Sequence, residues 1–314
     1  MWSTRATMLM LRMSILGALC AIVLCCPSDT VRAESPGIGA EDLGEAPPSD
    51  RQVQPDTSPL QGKALGMRQD FGSSVKRDRK AAETGDAEAQ YNLGLAYLKG
   101  LVVEADYTEA YKWFRKAADQ GNSGAQCNVG WMFEYGRGVM ENHEEAVKWY
   151  KKAVAQGDPT AQCNLGAMYE TGKGVAQSYE QAMKWYKSAA AGKSARAQAR
   201  LGRLFMDGLG VNKDFGEALK WIRQAAEENE SLGRAMLAWA YQNGYGVKRD
   251  LHKAVELYRK SADQGESWAM LRLGWCYHQG VGVPGNRDEA MKWYRKSAER
   301  GNRSAKDALT AMTQ

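Results

Sequence analysis

A chain of 314 residues, 44% of them hydrophobic, is long enough to bury a sizeable core or to build an extended array. Its 42 Lys and Arg residues against 37 Asp and Glu leave a formal net charge of +5. We expect no nucleic-acid partner, because this balance does not indicate the concentrated basic face that nucleic-acid binding requires.

The N-terminus has the pattern of a signal peptide. Arg5 and Arg12 precede an apolar run at 13–26, and the small-residue pattern of a cleavage site ends at Ala33. As a helix the apolar run would rise about 21 Å, which is short of the roughly 30 Å of a bilayer core. We therefore predict that residues 1–33 are a signal peptide, that no stable membrane span remains after cleavage, and that the chain is exported to the periplasm or secreted. An uncleaved membrane anchor and a mitochondrial presequence are the alternatives.

Residues 34–75 hold most of the prolines of the chain, together with Gly, Ser and Asp and few aromatic residues. Such a composition cannot bury enough apolar surface to offset the entropy lost on ordering. We predict a disordered linker here.

From residue 85 onwards the sequence repeats every 36 residues without a gap, in six blocks that start at 85, 121, 157, 193, 229 and 265. The first half of each block carries an aromatic residue at one position: Tyr97, Phe133, Tyr169, Phe205, Tyr241 and Tyr277. The second half carries Trp113, Trp149, Trp185, Trp221, Leu257 and Trp293. Six uninterrupted copies predict a stacked repeat array.

Each half of a block has the apolar spacing of an amphipathic helix. One glycine per block is placed to end the first helix as a left-handed cap: Gly100, Gly136, Gly172, Gly208, Gly244 and Gly280. A short polar residue three positions before Glu or Gln begins five of the second helices as a capping box, for example Asn142 with Glu145. Asp250 with Lys253 breaks this pattern once.

The blocks resemble the Sel-1-like repeat family, a relative of the tetratricopeptide repeats, through the pattern A-x-x-x-L-G-x-x-Y-x-x-G-x-G-V followed by A-x-x-W-Y-x-x-A-A. The resemblance implies an all-α, right-handed superhelical solenoid of helix–turn–helix repeats over residues 76–314, with partial capping repeats at each end. Val102 replaces a loop glycine in the first block, and Ala238 replaces the packing glycine in the fifth.

Two cysteines, Cys127 and Cys163, occupy equivalent positions in neighbouring blocks. Stacked helices lie about 8–10 Å apart, which exceeds the roughly 7 Å Cα separation that a disulfide spans. In the secreted cysteine-rich branch of the family the partner cysteines lie near the ends of second helices, where this chain has Ala117, Ala118 and Ala153. We predict free, half-buried thiols, including Cys276, and no metal site, because no His lies at ligand spacing.

Nothing in the sequence indicates catalysis or a cofactor. His143, His252 and His278 are scattered over three blocks, and the glycine pairs such as GRGV follow helices, whereas a phosphate loop follows a strand. We therefore expect that the chain is not an enzyme.

The resemblance to tetratricopeptide arrays implies a concave face formed by first helices that binds other proteins or extended peptide segments. The candidate partner-binding residues on this face are Tyr91, Trp131, Glu134, Glu170, Arg196, Arg203, Trp239, Trp268, Trp275 and His278. Exposed Trp beside Arg is typical of interface hot spots; the alternative is that these tryptophans only pack between neighbouring repeats.

The sequence thus predicts an exported, monomeric protein–protein scaffold that regulates an envelope signalling or assembly complex. The alternative function is a cell-envelope hydrolase or a β-lactam-binding protein, as the secreted cysteine-rich branch of the family suggests.

Overall fold

The computed structural model describes residues 79–100 and 104–313, and these form an all-α solenoid of helix–turn–helix repeats, as predicted. After a helical stretch at 79–83, first helices alternate with second helices along the chain. The first helices are α1 (Ala87–Lys99), α3 (Ser123–Tyr135), α5 (Pro159–Thr171), α7 (Ala195–Asp207), α9 (Ser231–Asn243) and α11 (Ser267–Gln279). The second helices are α2 (Tyr107–Asp119), α4 (His143–Val154), α6 (Tyr179–Ala191), α8 (Phe215–Glu227), α10 (Leu251–Asp263) and α12 (Arg287–Glu299), and α13 (Arg303–Thr313) closes the array.

Several predictions concern residues outside the described ranges. The signal peptide at 1–33, the linker at 34–75 and the departure at Val102 all lie there. Within the described ranges, none of the helices is both long and apolar enough to cross a membrane.

The two helices of a repeat approach closely because a glycine of the first helix faces a large side chain of the second, which is aromatic in most repeats. A Cβ atom added at Gly130 would lie 2.8 Å from the ring of Tyr150, and one at Gly94 would lie 2.6 Å from the ring of Phe114. Neither distance is sterically possible without a shift of the facing ring or of the helix that carries it. Ala238 occupies this position in the fifth repeat and is fully buried, so a single methyl group is accommodated there.

The turn between the two helices satisfies the backbone at both of its ends. Gly136 ends α3 in the left-handed conformation at φ 61°, as predicted. Asn142 caps α4 by accepting a hydrogen bond from the amide of Glu145 at 3.0 Å. The amide of Asn142 itself donates to the carbonyl oxygen of Phe133 at 2.9 Å.

That last hydrogen bond corrects the predicted capping box. The cap amide is already bonded to the first helix, so Glu145 does not need to reach back, and its carboxylate accepts instead from Lys148 at 2.6 Å. Asp250 caps α10 in the same way although Lys253 replaces the usual Glu, because only the backbone amide of Lys253 is needed.

Neighbouring repeats contact each other through the second glycine of each turn. A Cβ atom at Gly138 would lie 2.3 Å from the carbonyl oxygen of Tyr107, and one at Gly174 would lie 2.3 Å from that of His143. Tyr107 and His143 begin the second helices of the preceding repeats. The glycine pairs are therefore structural turns that stack one repeat on the next.

Candidate functional site

All the predicted partner-binding residues lie on first helices, and we call the surface that they were expected to form the first-helix face. Their exposure separates them into two groups. The side chains that are almost fully buried belong to Trp131, Glu170, Arg203, Trp239 and Trp268. The side chains that stay accessible belong to Tyr91, Glu134, Arg196, Trp275 and His278.

Trp131 and Trp239 occupy the repeat position that Trp275 also occupies, and they correct the prediction that the tryptophans of this position are exposed. Each keeps only 6% of its surface accessible. Trp131 belongs to the same core cluster as Leu98 of the preceding repeat, and its ring centroid lies 5.6 Å from that of Tyr135. These rings pack between neighbouring repeats, since burial of a large apolar ring in a stacked array is favourable.

The last repeat departs partly from this arrangement. Trp268 is 5% exposed and packs edge-on against Tyr258 of the preceding repeat, with ring centroids 6.0 Å apart. Trp275 remains partly exposed. The guanidinium carbon of Arg272 lies 5.1 Å from the ring of Trp275 and 5.9 Å from that of Trp268. One buried cation therefore contacts both indoles and orients the exposed one.

Glu134 and Glu170, two of the predicted partner-binding residues, accept hydrogen bonds from buried side chains. In three repeats a buried tyrosine hydroxyl of the second helix donates to a polar side chain near the end of the first helix. These pairs are Tyr150 with Glu134 (2.5 Å), Tyr186 with Glu170 (2.6 Å) and Tyr258 with Gln242 (3.0 Å). A buried hydroxyl requires such a partner.

Two further repeats keep the match in apolar form, whereas in the sixth repeat His278 packs edge-on against Tyr294 with ring centroids 6.3 Å apart. Where the second helix has Phe114 or Ile222 in place of tyrosine, the equivalent first-helix residues are Leu98 and Met206. An apolar residue thus faces an apolar residue, and an acceptor faces a hydroxyl. Glu170 is enclosed and is not a partner-binding residue, whereas the half-buried Glu134 combines its structural hydrogen bond with partial access to solvent.

The carboxylate of Glu170 also contacts two arginines of the next repeat. Arg203 forms an ion pair with Glu170, and Nη1 of Arg200 lies 3.5 Å from the same carboxylate. Nη1 of Arg203 is also 3.8 Å from Asp207. Burial lowers the pKa of Arg203, and the charge of Asp207 offsets this in part. Arg203 is therefore committed to an ion pair between repeats, which corrects its predicted role in partner binding.

The accessible members of the set lie on well-separated helices. Arg196 is half-buried on α7 and donates from Nη1 to Oδ1 of Asn164 at 3.3 Å. Tyr91 on α1 is also half-buried, and burial raises its pKa to about 12. His278 is exposed at the end of α11, where burial and then the charge of Arg287 lower its pKa.

Cysteines Cys127, Cys163 and Cys276 are free, as predicted, but they are fully buried and not half-buried. The Nδ2 atom of Asn164 donates weakly to Sγ of Cys127 at 3.7 Å. Burial raises the thiol pKa of Cys127 well above its ordinary value and that of Cys276 to about 12. In the part of the chain that the structure describes, no group of three or more His, Cys, Asp or Glu side chains is placed to hold a metal ion.

The Sel1 repeat profile matches the chain six times, at residues 87–122, 123–158, 159–194, 195–230, 231–266 and 269–302. The chain belongs to the Sel1 repeat family. These six matches coincide with the six helix pairs of the solenoid.

Solved structures of other Sel1 repeat proteins agree with this assignment. A Sel1 repeat protein from Oxalobacter formigenes is 36% identical with a TM-score of 0.58, and the match covers 72% of this chain and 88% of that chain. The protective antigen c5321 of uropathogenic Escherichia coli, which displays an SLR fold, is 36% identical with a TM-score of 0.57 over 75% of this chain. This match spans only 50% of c5321.

More distant similarity shows the fold alone. The immunity protein Pa5087 of Pseudomonas aeruginosa is 19% identical with a TM-score of 0.50, and the match covers 68% of this chain and 81% of that chain. A comparison with curated proteins finds no match.

Sequence reasoning missed three buried cations of the Sel1 repeats, Arg200, Arg234 and Arg272. Arg200 and Arg272 occupy the same position of two repeats and are 4% and 3% exposed. In the first three repeats this position holds Asn92, Asn128 and Asn164. An alignment of the six repeats with one another reveals this replacement of an amide by a cation, which the apolar periodicity conceals.

Proposed function

We propose that this Sel1 repeat solenoid is a scaffold that binds other proteins, or extended segments of them, through its first-helix face. The observation that carries the proposal is a contrast between two repeated positions. The exposed second-helix position is always basic, with Arg115, Lys151, Lys187, Arg223, Arg259 and Arg295. A first-helix position changes its chemistry in every repeat: Glu88, Gly124, Thr160 and Arg196 are accessible there, whereas Leu232 and Trp268 are buried.

This contrast distinguishes the second-helix surface, which is uniform, from the first-helix face, which differs from repeat to repeat. In a solenoid each repeat contacts only its neighbours, so the inner positions are free to differ as long as the packing positions repeat. A face whose residues differ from repeat to repeat offers a partner a defined sequence of contacts. A face that repeats a positive charge, Arg or Lys, in all six repeats does not.

The accessible residues on α11 are the part of the face best suited to anchor a partner. Trp275 is held by Arg272 and partly exposed, and His278 follows one turn later. A rigid, partly exposed indole beside a cation is typical of binding hot spots. Arg196 and Tyr91 extend the contact region towards the first repeats.

We further propose that the chain acts as a monomer outside the cytoplasm, in the periplasm or as a secreted protein, within an envelope signalling or assembly complex. The support for export is the sequence pattern that ends at Ala33. The intact mass of protein recovered from the host envelope tests export. A mass that begins at Glu34 is expected, and a membrane-bound chain that retains residues 1–33 would contradict it. We assign the chain no catalytic role.

The experiment that tests the binding proposal is affinity capture from the envelope fraction with three versions of the chain as bait. The wild type should retain a partner that Trp275→Ala loses. Lys187→Ala is the matched control, because it removes an exposed side chain of the uniform second-helix surface. A partner that survives Trp275→Ala and is lost with Lys187→Ala would place binding on the second helices and refute the proposal.

A further inference from the structure

One turn of the solenoid reverses the charge that the equivalent turns carry. Residues 248–253 (KRDLHK) have a formal charge of +2, counting Lys and Arg against Asp and Glu. The equivalent stretches at 104–109 and 140–145 carry −3, and those at 176–181, 212–217 and 284–289 carry −1. The fifth repeat is thus the only one of the six in which this turn is positive.

Among the described residues the cations of this turn form no ion pair, and Lys253 has only a weaker electrostatic contact with Glu256, whose pKa is lowered mainly by Lys260 and less by the charge of Lys253. Nζ of Lys253 lies 4.8 Å from the centroid of the Tyr241 ring, and Nε of Arg249 donates to the carbonyl oxygen of Gln242 at 3.0 Å. Within 79–100 and 104–313, no salt bridge joins Lys248, Arg249 or Lys253 to a carboxylate. A cation in the first turn of a helix also opposes the helix dipole. The helix cap therefore does not need a cation at Lys253, and the other five repeats place Glu or Gln there.

The cations line a cleft between the turns of the fifth and sixth repeats. Arg223, Lys248, Arg249 and Lys253 contribute positive charge and Asp250 contributes one negative charge, and the open cleft has a volume of about 1070 Å³. The apolar part of its lining is formed by Val247, Leu251, Val283 and Pro284. A lining that mixes cations with aliphatic side chains suits a peptide that carries carboxylates beside aliphatic residues.

The same chain contains a segment with that chemistry. Residues 38–50 (IGAEDLGEAPPSD) contain four carboxylates and no Lys or Arg, and Ile38 and Leu43 are near Glu41, Asp42 and Glu45 in the sequence. We propose that the cleft binds this acidic segment of its own chain. The charge of −4 on the segment complements the cationic turn.

The connecting chain is long enough for this contact. Residues 51–78 span up to about 90 Å when extended, whereas the four repeats between the first repeat and the cleft stack over about 40 Å. Because the two partners are tethered, a weak intrinsic affinity is sufficient to populate the contact.

Zero-length carbodiimide cross-linking of the full chain, followed by peptide mapping with mass spectrometry, tests the proposal. Cross-links are expected from Glu41, Asp42 or Glu45 to Lys248 or Lys253. They should decrease several-fold at about 0.5 M NaCl, since salt screens solvent-exposed charges. A mixture of ¹⁵N-labelled and unlabelled chains distinguishes links within one molecule from links between molecules.

Two variants give the matched comparison. Arg249→Gln keeps both reactive lysines and introduces the residue that the third repeat has at this position, Gln177, so the fold is not endangered. It should lower the cross-link yield at least threefold. Lys213→Gln, at the equivalent position of the fourth repeat, should leave the yield unchanged.

Three outcomes would overturn the proposal. One is cross-links that form only between molecules. Another is cross-links spread equally over Lys248, Lys253 and the loop lysines of other repeats. The third is a yield that Arg249→Gln does not change. None of these readouts depends on an external partner. A negative cross-linking result would therefore overturn this inference without contradicting the proposed scaffold function.

Discussion

The pairing of Glu134 with Tyr150 predicts a specific pattern of stability in a double-mutant cycle. Tyr150 is fully buried and its hydroxyl donates to Glu134 at 2.5 Å. Glu134→Leu leaves that hydroxyl buried without an acceptor, which costs about 1–3 kcal/mol of unfolding free energy. Tyr150→Phe removes the hydrogen bond but leaves Glu134 able to bind water, because it is only half-buried, so we expect a loss of about 0.5–1.5 kcal/mol.

The double variant should lose less unfolding free energy than the sum of the two single losses. It recreates the apolar pair that the first repeat already uses, Leu98 with Phe114, and should lie within about 1 kcal/mol of the wild type. The two changes are therefore expected to couple by about 1–2 kcal/mol.

Urea unfolding monitored by circular dichroism measures each variant, and an unchanged m-value is required before the free energies are compared. Simple additivity, with the double variant losing the sum of the two single losses, would refute the claim that the first-helix acceptor exists for the buried hydroxyl.

Three further predictions follow from burial and charge. Trp239→Ala should cost about 3–5 kcal/mol of unfolding free energy, because its ring is buried, whereas Trp275→Ala should cost about 1–2 kcal/mol; thermal melting that ranks them in the opposite order would contradict this assignment. Thiol counting after denaturation without reductant should give one free group for each of Cys127, Cys163 and Cys276, and a smaller number would reveal a disulfide. Lys253→Glu should raise the unfolding free energy by about 0.3–1 kcal/mol, because a carboxylate replaces a cation at a helix N-terminus, and a loss of stability in the same measurement would contradict this.

The sequence was sufficient to predict the solenoid because its packing positions repeat without interruption. Gly136 ends its helix in the left-handed conformation, and Asn142 caps the next, as the spacing indicated. Both are local features, since a cap depends only on residues within one turn.

The assignment of the candidate site from sequence was less successful because it depends on contacts across repeats. Trp131 was expected to be exposed because it lies outside the packing set of its own helix, but it packs with Leu98, which lies one repeat earlier. Glu170 was assigned to the surface for the same reason and instead accepts from Tyr186. Helical periodicity identifies the face on which a residue lies, but it does not identify the partner that the next repeat brings to that face.

Some of this information was nevertheless present in the sequence. The match between acceptors and hydroxyls, and between Leu98 and Phe114, is visible when the six blocks are aligned with one another. The charge reversal at 248–253 is visible in the same alignment. Internal comparison of repeats therefore reveals pairings that composition and periodicity do not.

The central claim, that the first-helix face binds a protein partner, is tested most directly by the affinity of the captured partner for three purified chains, measured by isothermal titration calorimetry. We expect Trp275→Ala to weaken binding by at least about 2 kcal/mol, roughly a thirtyfold increase in Kd, and Lys187→Ala to leave Kd within about twofold. An unchanged Kd for Trp275→Ala together with a large increase for Lys187→Ala would contradict the account.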